Sequence, residues 1–131
     1  MSQENVEVVR GVIDHVNETG EAGPLDLYDP QVTFTTRADV EGPTTFTGHR
    51  GMADAIANFK EAWAETATHI IELIEGDDVV VAVLRFDLRS HAGVELEVEE
   101  AWAYWLRDGK LTRIEQHGSR EKAIEAAGLS E

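Results

Sequence analysis

The sequence contains no cysteine, which excludes disulfide bonds, a thiolate nucleophile and any metal site built on cysteine ligands. Basic residues are also few, because 11 Lys and Arg oppose 26 Asp and Glu and give a formal net charge of -15 at pH 7. Such a surface repels the phosphates of nucleic acids and of anionic membranes, so neither is an expected partner. No apolar run reaches the length of a membrane span and the N-terminus lacks a signal-peptide pattern, which predicts a cytoplasmic protein.

Motifs for metals and cofactors are missing as well. The five histidines lack the HxH or HExxH spacing that places two imidazoles on one metal ion. There is no glycine-rich phosphate loop and no nucleophile elbow. We therefore predict neither a metal site nor a cofactor.

The chain length fits one domain, which we take to cover residues 1–131. Apolar residues at helical spacing predict a first helix from about Gln3 to Thr19, ended by Gly20. Gly23-Pro24 predicts a short second helix that closes at Asp29-Pro30. A third helix from Gly51 is expected to bury one face, formed by Met52, Ile56, Phe59 and Trp63.

Strand patterns dominate the rest of the chain. They predict strands at Val32–Phe34, Thr68–Glu75, Val79–Ser90, Val94–Arg107 and Leu111–His117. Residues 37–48, which include Gly42-Pro43, are predicted to be mostly loop with a short strand near Phe46. Ser119 caps a short C-terminal helix that Gly128 ends. An antiparallel meander with helices gathered on one side indicates the α+β class.

The most strand-like run, Val79–Ser90, changes character halfway along. Its odd-numbered face passes from valines to Arg85, Asp87 and Arg89, whereas its even-numbered face stays apolar. Either these charged side chains are solvated on the sheet surface, or an Arg-Asp pair lines a cavity. The sequence is compatible with both placements.

Five segments carry a family resemblance: SQENVEVVR, YDPQVTF, TGHRGMADAIANF, LRDGKLTRIE and SREKAIEAAGL. Together they resemble the SnoaL-like, nuclear-transport-factor-2-like family. They run almost end to end. The resemblance implies a cone, in which a curved antiparallel sheet wraps round three N-terminal helices and a short C-terminal helix follows. Function is less constrained, because this scaffold hosts isomerases, dehydratases, cyclases, epoxide hydrolases and non-catalytic binding modules.

Within that family, LRFDL resembles the limonene-epoxide hydrolase motif, in which an arginine lies between two catalytic aspartates. The resemblance implies that Arg85 is the bridging arginine and Asp87 one of the aspartates. Gln116 stands where the second aspartate belongs, and Phe34 and Thr36 replace a tyrosine and an asparagine. The similarity to this motif therefore ends at Arg85 and Asp87.

Glu100 interrupts the apolar face of the strand Val94–Arg107. An unpaired buried carboxylate is costly, so we predict that Glu100 has a partner, with Arg85 or Arg89 as first choice. One hypothesis makes Asp87 a base, Arg85 its orienting group and Glu100 an acid. The alternative is structural, with a ladder of surface charges and a glutamate at a bend of the sheet.

Completing the catalytic hypothesis, Gln116 would donate a hydrogen bond to substrate or water. The pocket would hold an apolar, oxygen-bearing small molecule and be lined by Trp63, Phe59, Trp102, Tyr28, His15 and Phe34. The reaction would be an isomerisation, cyclisation, dehydration or hydrolysis without cofactor. The alternative is a non-catalytic module for small-molecule binding or dimerisation.

Ala101, Ala103 and Trp105 share the strand face opposite Glu100. A tryptophan exposed on a sheet often marks a contact between proteins. We therefore predict a homodimer through this outer face.

Overall fold

A computed structural model of the chain describes residues 2–37 and 44–129. The predicted Gly42-Pro43 loop lies outside these residues. The helices are α1 (Ser2–Thr19), a 3-10 turn (Leu25–Leu27), α2 (Gly48–Ala62) and α3 (Arg120–Ala126). The strands are β1 (Tyr28–Thr35), β2 (Thr45–Thr47), β3 (Glu65–Glu75), β4 (Val79–Arg89), β5 (Glu95–Arg107) and β6 (Lys110–His117). None of the helices in the described ranges is long and apolar enough to cross a membrane.

The six strands form one curved, open sheet in the order β2-β1-β6-β5-β4-β3, so the α+β class is confirmed. Strands β3 to β6 form the predicted antiparallel meander. The expectation of a wholly antiparallel sheet is wrong, because β1 pairs with β6 in parallel. This pairing joins the first described strand to the last one.

The two N-terminal helical predictions have different outcomes. Helix α1 matches its prediction and ends at Gly20, whose φ of 75° and N–H bond to the Val16 carbonyl (2.8 Å) close the last turn. The predicted second helix is only the 3-10 turn, and Asp29-Pro30 already lies in β1. The residue before a proline favours extended backbone, which suits a strand better than a helix end.

Helix α2 begins at Gly48, three residues before its predicted start, and ends at Ala62. Met52 and Ile56 are buried, and Phe59 packs against the same core. Trp63 has extended backbone and caps the helix, so it does not continue the helical face.

Strand β4 lies inside the sheet and carries a different partner on each face. Its even-numbered residues, including Leu84 and Phe86, pack with α1 and α2. Its odd-numbered valines pack under α3, through Ala123. The helices are therefore not gathered on one side, because α3 covers the opposite face.

The predicted N-cap of α3 is confirmed, since Ser119 Oγ accepts a hydrogen bond from the Lys122 backbone N–H (3.2 Å). Ile124 is buried as expected. Gly128, at φ 72°, follows the last turn.

Candidate functional site

A cavity of about 290 Å³ lies between α1, α2 and the inner face of the sheet. One wall is aromatic and is centred on Trp102. The Trp102 ring centroid lies 5.2 Å from Phe34, 5.9 Å from Phe86 and 6.4 Å from Tyr104, whose ring is stacked at 26°. The opposite wall comes from α1 and α2 and is mainly aliphatic, with Phe59 and the polar Asn58 also in its lining. The aromatic wall around Trp102 offers a flat contact surface for an apolar ligand.

Six residues with polar side chains line this cavity: Tyr28, Thr36, Asn58, Thr68, Tyr104 and Gln116. The two tyrosines have shifted pKa values. Burial raises the pKa of Tyr28 to about 12, and burial together with the nearby Tyr28 raises the pKa of Tyr104 further above its usual value. Both phenols therefore stay protonated at neutral pH. Within residues 2–37 and 44–129, neither hydroxyl makes a hydrogen bond, and neither is sealed from solvent.

Glu100 is the one buried charged residue of the described chain, at 8% exposure. Its Oε2 accepts a bond from Arg37 Nη1 (3.0 Å), and its Oε1 accepts bonds from Trp102 Nε1 (3.0 Å) and Gln116 Nε2 (2.8 Å). All three contacts are donors, which suits an ionised carboxylate. Glu100 itself lies behind the wall, because Trp102 and Gln116 line the cavity and Glu100 does not.

The prediction that Glu100 is paired is confirmed, but the predicted partners are wrong. Arg85 and Arg89 are odd-numbered β4 residues, whereas Glu100 lies opposite Leu84 on the even-numbered face. Its partner Arg37 follows β1. No local pattern signals this pair, because it depends on the β1–β6 pairing between distant segments.

The cavity brings together Phe34, Phe59, Tyr28, Trp102 and Gln116 from the predicted site. It is not lined by Trp63, which packs half-buried at the core edge, or by His15. The His15 ring instead sits beside Gly23, with Nε2 3.0 Å from the place where a Cβ would stand.

Of the two placements open for Arg85 and Asp87, the structure has the one on the outer face of the sheet, so they do not line the cavity as the catalytic hypothesis requires. Arg85 Nε is 3.3 Å from Asp87 Oδ1, and His69 Nε2 is 2.8 Å from Asp87 Oδ2. The Asp87 side chain is 43% exposed. Beyond the cover of α3 the odd-numbered face of β4 meets solvent, and this explains its change from valine to charge.

The outer patch predicted to mediate dimerisation is already covered within the chain. Ala101 and Ala103 have no exposed surface and pack with Ala123 of α3. Trp105 is half-buried, with the Arg113 guanidinium 4.3 Å from its ring centroid. The prediction missed this because it did not place α3 on the outer face.

Most of the aliphatic lining was absent from the predicted site, and so were Tyr104 and Arg37, which contribute polar groups. Tyr104 lies two residues after Trp102 on the same face of the strand, so alternation along the strand could have identified it as a site residue. Arg37 carries no such signal. No group of three His, Cys, Asp or Glu side chains suited to a metal ion occurs among the described residues.

Comparison with known proteins places the chain by fold. It resembles an NTF2-like protein of unknown function from Burkholderia pseudomallei K96243 (20% identity, 93% of this chain and 95% of that one, TM-score 0.77). It also resembles a candidate SnoaL-like polyketide cyclase from Jannaschia sp. CCS1 (16%, 96% and 92%, 0.76). A third similar structure is TerC co-crystallised with polyporic acid (20%, 93% and 96%, 0.74). No curated protein matches in sequence.

The model of the SnoaL-like domain matches residues 9–114, which extend from α1 to β6. This range includes the aromatic wall, both cavity tyrosines and the Arg37–Glu100 pair. The structural neighbours have the same α+β architecture. The chain therefore belongs to the SnoaL-like domain family.

Proposed function

We propose that the chain binds one uncharged, mainly apolar small molecule in the cavity, without turning it over. One observation carries the proposal: no Asp, Glu, His, Lys or Arg is among the described residues that line the cavity. A charged ligand would lose its hydration there without gaining a counter-charge. The net charge of -15 further disfavours anions.

The size of the cavity limits the ligand. Its volume of about 290 Å³ equals that of about ten liquid waters and lies at the small end of ligand pockets. We therefore expect a ligand of about ten to twelve non-hydrogen atoms. Small-molecule binding by this fold is supported by TerC, which was co-crystallised with polyporic acid.

Titration calorimetry with tetralin, an uncharged bicyclic hydrocarbon, tests the proposal. We expect saturable binding at one site per chain with a negative heat-capacity change. Ala55→Phe, which places a ring in the cavity from α2, should abolish binding. The matched control is Ala57→Phe on the exposed side of the same helix, which should bind as the wild type does. Equal binding by both variants would refute the cavity as the site.

A catalytic function is the second candidate, favoured by the buried Glu100 carboxylate directly behind Gln116. In this candidate function Glu100 would take a proton from the ligand through a bridging water, and a cavity tyrosine would donate a proton to the ligand. Incubation with a ligand found by calorimetry, followed by mass spectrometry, distinguishes the two. Turnover that Glu100→Gln abolishes would support the enzyme, whereas Asp87→Asn on the outer face should have no effect on either function.

We also keep the homodimer as a proposal, although its apolar patch is smaller than expected. The half-buried Trp105 is what remains of that patch. Light scattering at micromolar concentration should give about twice the 14.5 kDa chain mass. A monomer would refute it.

A further inference from the structure

Gln116 meets the cavity with a fixed orientation of its side-chain amide. Its Nε2 donates to Glu100 Oε1 at 2.8 Å, and the opposite orientation would place the amide oxygen against a carboxylate oxygen. No residue in the described ranges donates to Gln116 Oε1, although the side chain lines the cavity. The amide oxygen is therefore an acceptor available to a ligand.

Glu100 is the positioning residue for this amide. Its second oxygen is held by Arg37 Nη1 at 3.0 Å, and its first oxygen also accepts the indole N–H of Trp102 at 3.0 Å. The carboxylate therefore cannot turn away without breaking two other bonds. It also leaves Trp102 no free N–H, so this ring offers the ligand only its apolar face.

The tyrosine hydroxyls are the second set of polar groups that we assign to the ligand, beside the lining residues Thr36, Asn58 and Thr68. Both are neutral donors, and neither has a partner among the described residues. Tyr104 lies opposite Ile114 on β6, two residues before Gln116. Two residues of strand span about 7 Å, so the backbone positions that carry the Tyr104 phenol and the Gln116 amide are offset by about the length of one ring system.

We propose that the ligand is a flat, bifunctional molecule of one or two rings, with a hydroxyl that donates to Gln116 Oε1 and a carbonyl that accepts from Tyr104 or Tyr28. The ring system between them lies on Trp102. This assignment rests on the proposed function, since it names the ligand class of the same cavity. It adds a direction: the hydroxyl points to β6 and the carbonyl to the tyrosines.

Four bicyclic probes of nearly equal size test it by calorimetry. They are tetralin with no polar group, 5,6,7,8-tetrahydro-2-naphthol with the hydroxyl, 1-tetralone with the carbonyl, and 6-hydroxy-1-tetralone with both. Each polar group should tighten binding about fivefold, and the two together about 25-fold. A hydroxyl that tightens binding less than twofold overturns the inference while tetralin binding still supports the proposed function. No binding of any probe overturns both.

Variants assign each group to its partner. Gln116→Met should remove the preference for the hydroxyl and keep the preference for the carbonyl. The double variant Tyr28→Phe with Tyr104→Phe should remove the preference for the carbonyl and keep the preference for the hydroxyl. Glu100→Gln should reduce only the hydroxyl preference, because the amide is no longer held in one orientation; a purely structural Glu100 would leave this ratio unchanged. Asp87→Asn is the control, and melting curves confirm that each variant is folded. A hydroxyl preference that follows the tyrosines and survives Gln116→Met would overturn the assignment.

Discussion

Replacing Glu100 by leucine should be among the more destabilising single substitutions in this chain. The change leaves the Arg37 guanidinium, the Trp102 indole N–H and the Gln116 amide without their common acceptor. Removing one partner of a buried ion pair costs about 3–5 kcal/mol. Because the Arg37 side chain is 24% exposed and can reach water, we expect the lower part of this range, about 3 kcal/mol.

Urea unfolding measures this loss, and the melting temperature should fall by about 10 °C. The matched control is Glu97→Leu on the outer face of the same strand, where the side chain is 72% exposed and the change should stay within about 0.5 kcal/mol. A double-mutant cycle of Glu100→Leu with Arg37→Met should give a coupling energy of about 2 kcal/mol. Glu100→Leu unfolding within about 0.5 kcal/mol of the wild type would refute the network as a source of stability.

Two further predictions concern the tyrosines and the last helix. The pKa of Tyr28 is raised to about 12 and that of Tyr104 is raised too, so the unfolded chain loses these protons first as the pH rises above about 10. The free energy of unfolding should thus fall above pH 10 by about 1.4 kcal/mol per pH unit for each tyrosine. Tyr104→Phe should remove one such contribution from the slope of urea-unfolding free energy against pH. An unchanged slope in this variant would contradict the prediction. Ser119→Ala should cost about 1 kcal/mol by urea unfolding through loss of the cap on Lys122 N–H, whereas a loss under about 0.3 kcal/mol would contradict the cap.

Local patterns predicted the elements of this fold better than their arrangement. Alternation placed Trp102 and Glu100 on one face of β5 and Trp105 on the other, because it depends only on strand geometry. It could not say which face of β4 lies towards the cavity, since both faces begin with valine or other apolar residues. The inner face of β4 is determined by α1 and α2, which pack against Leu84 and Phe86 and are distant from β4 in the sequence.

The same limit explains the errors at the candidate site. The resemblance to a motif assigned Arg85 and Asp87 to the cavity. In the structure, however, the odd-numbered residues of β4 face the opposite side of the sheet. The partner of Glu100 could not be predicted because Arg37 reaches it through a parallel strand pair that no turn signals. Sequence separation, not weak local signal, is what hid this contact.

The parallel pairing of β1 with β6 has a consequence for how the protein comes to fold. Tyr28 pairs with Leu111 and Phe34 with Ile114, so one side of the cavity is joined only when the end of the chain meets its beginning. Closing so long a loop costs conformational entropy before the β1–β6 contacts can offset it. Strand pairings between segments far apart in the sequence therefore slow folding. During synthesis, the meander from β3 to β5 can form before β6 is available to pair with β1. The cavity, and with it the ligand binding that we propose, should therefore be completed only after β6 has left the ribosome.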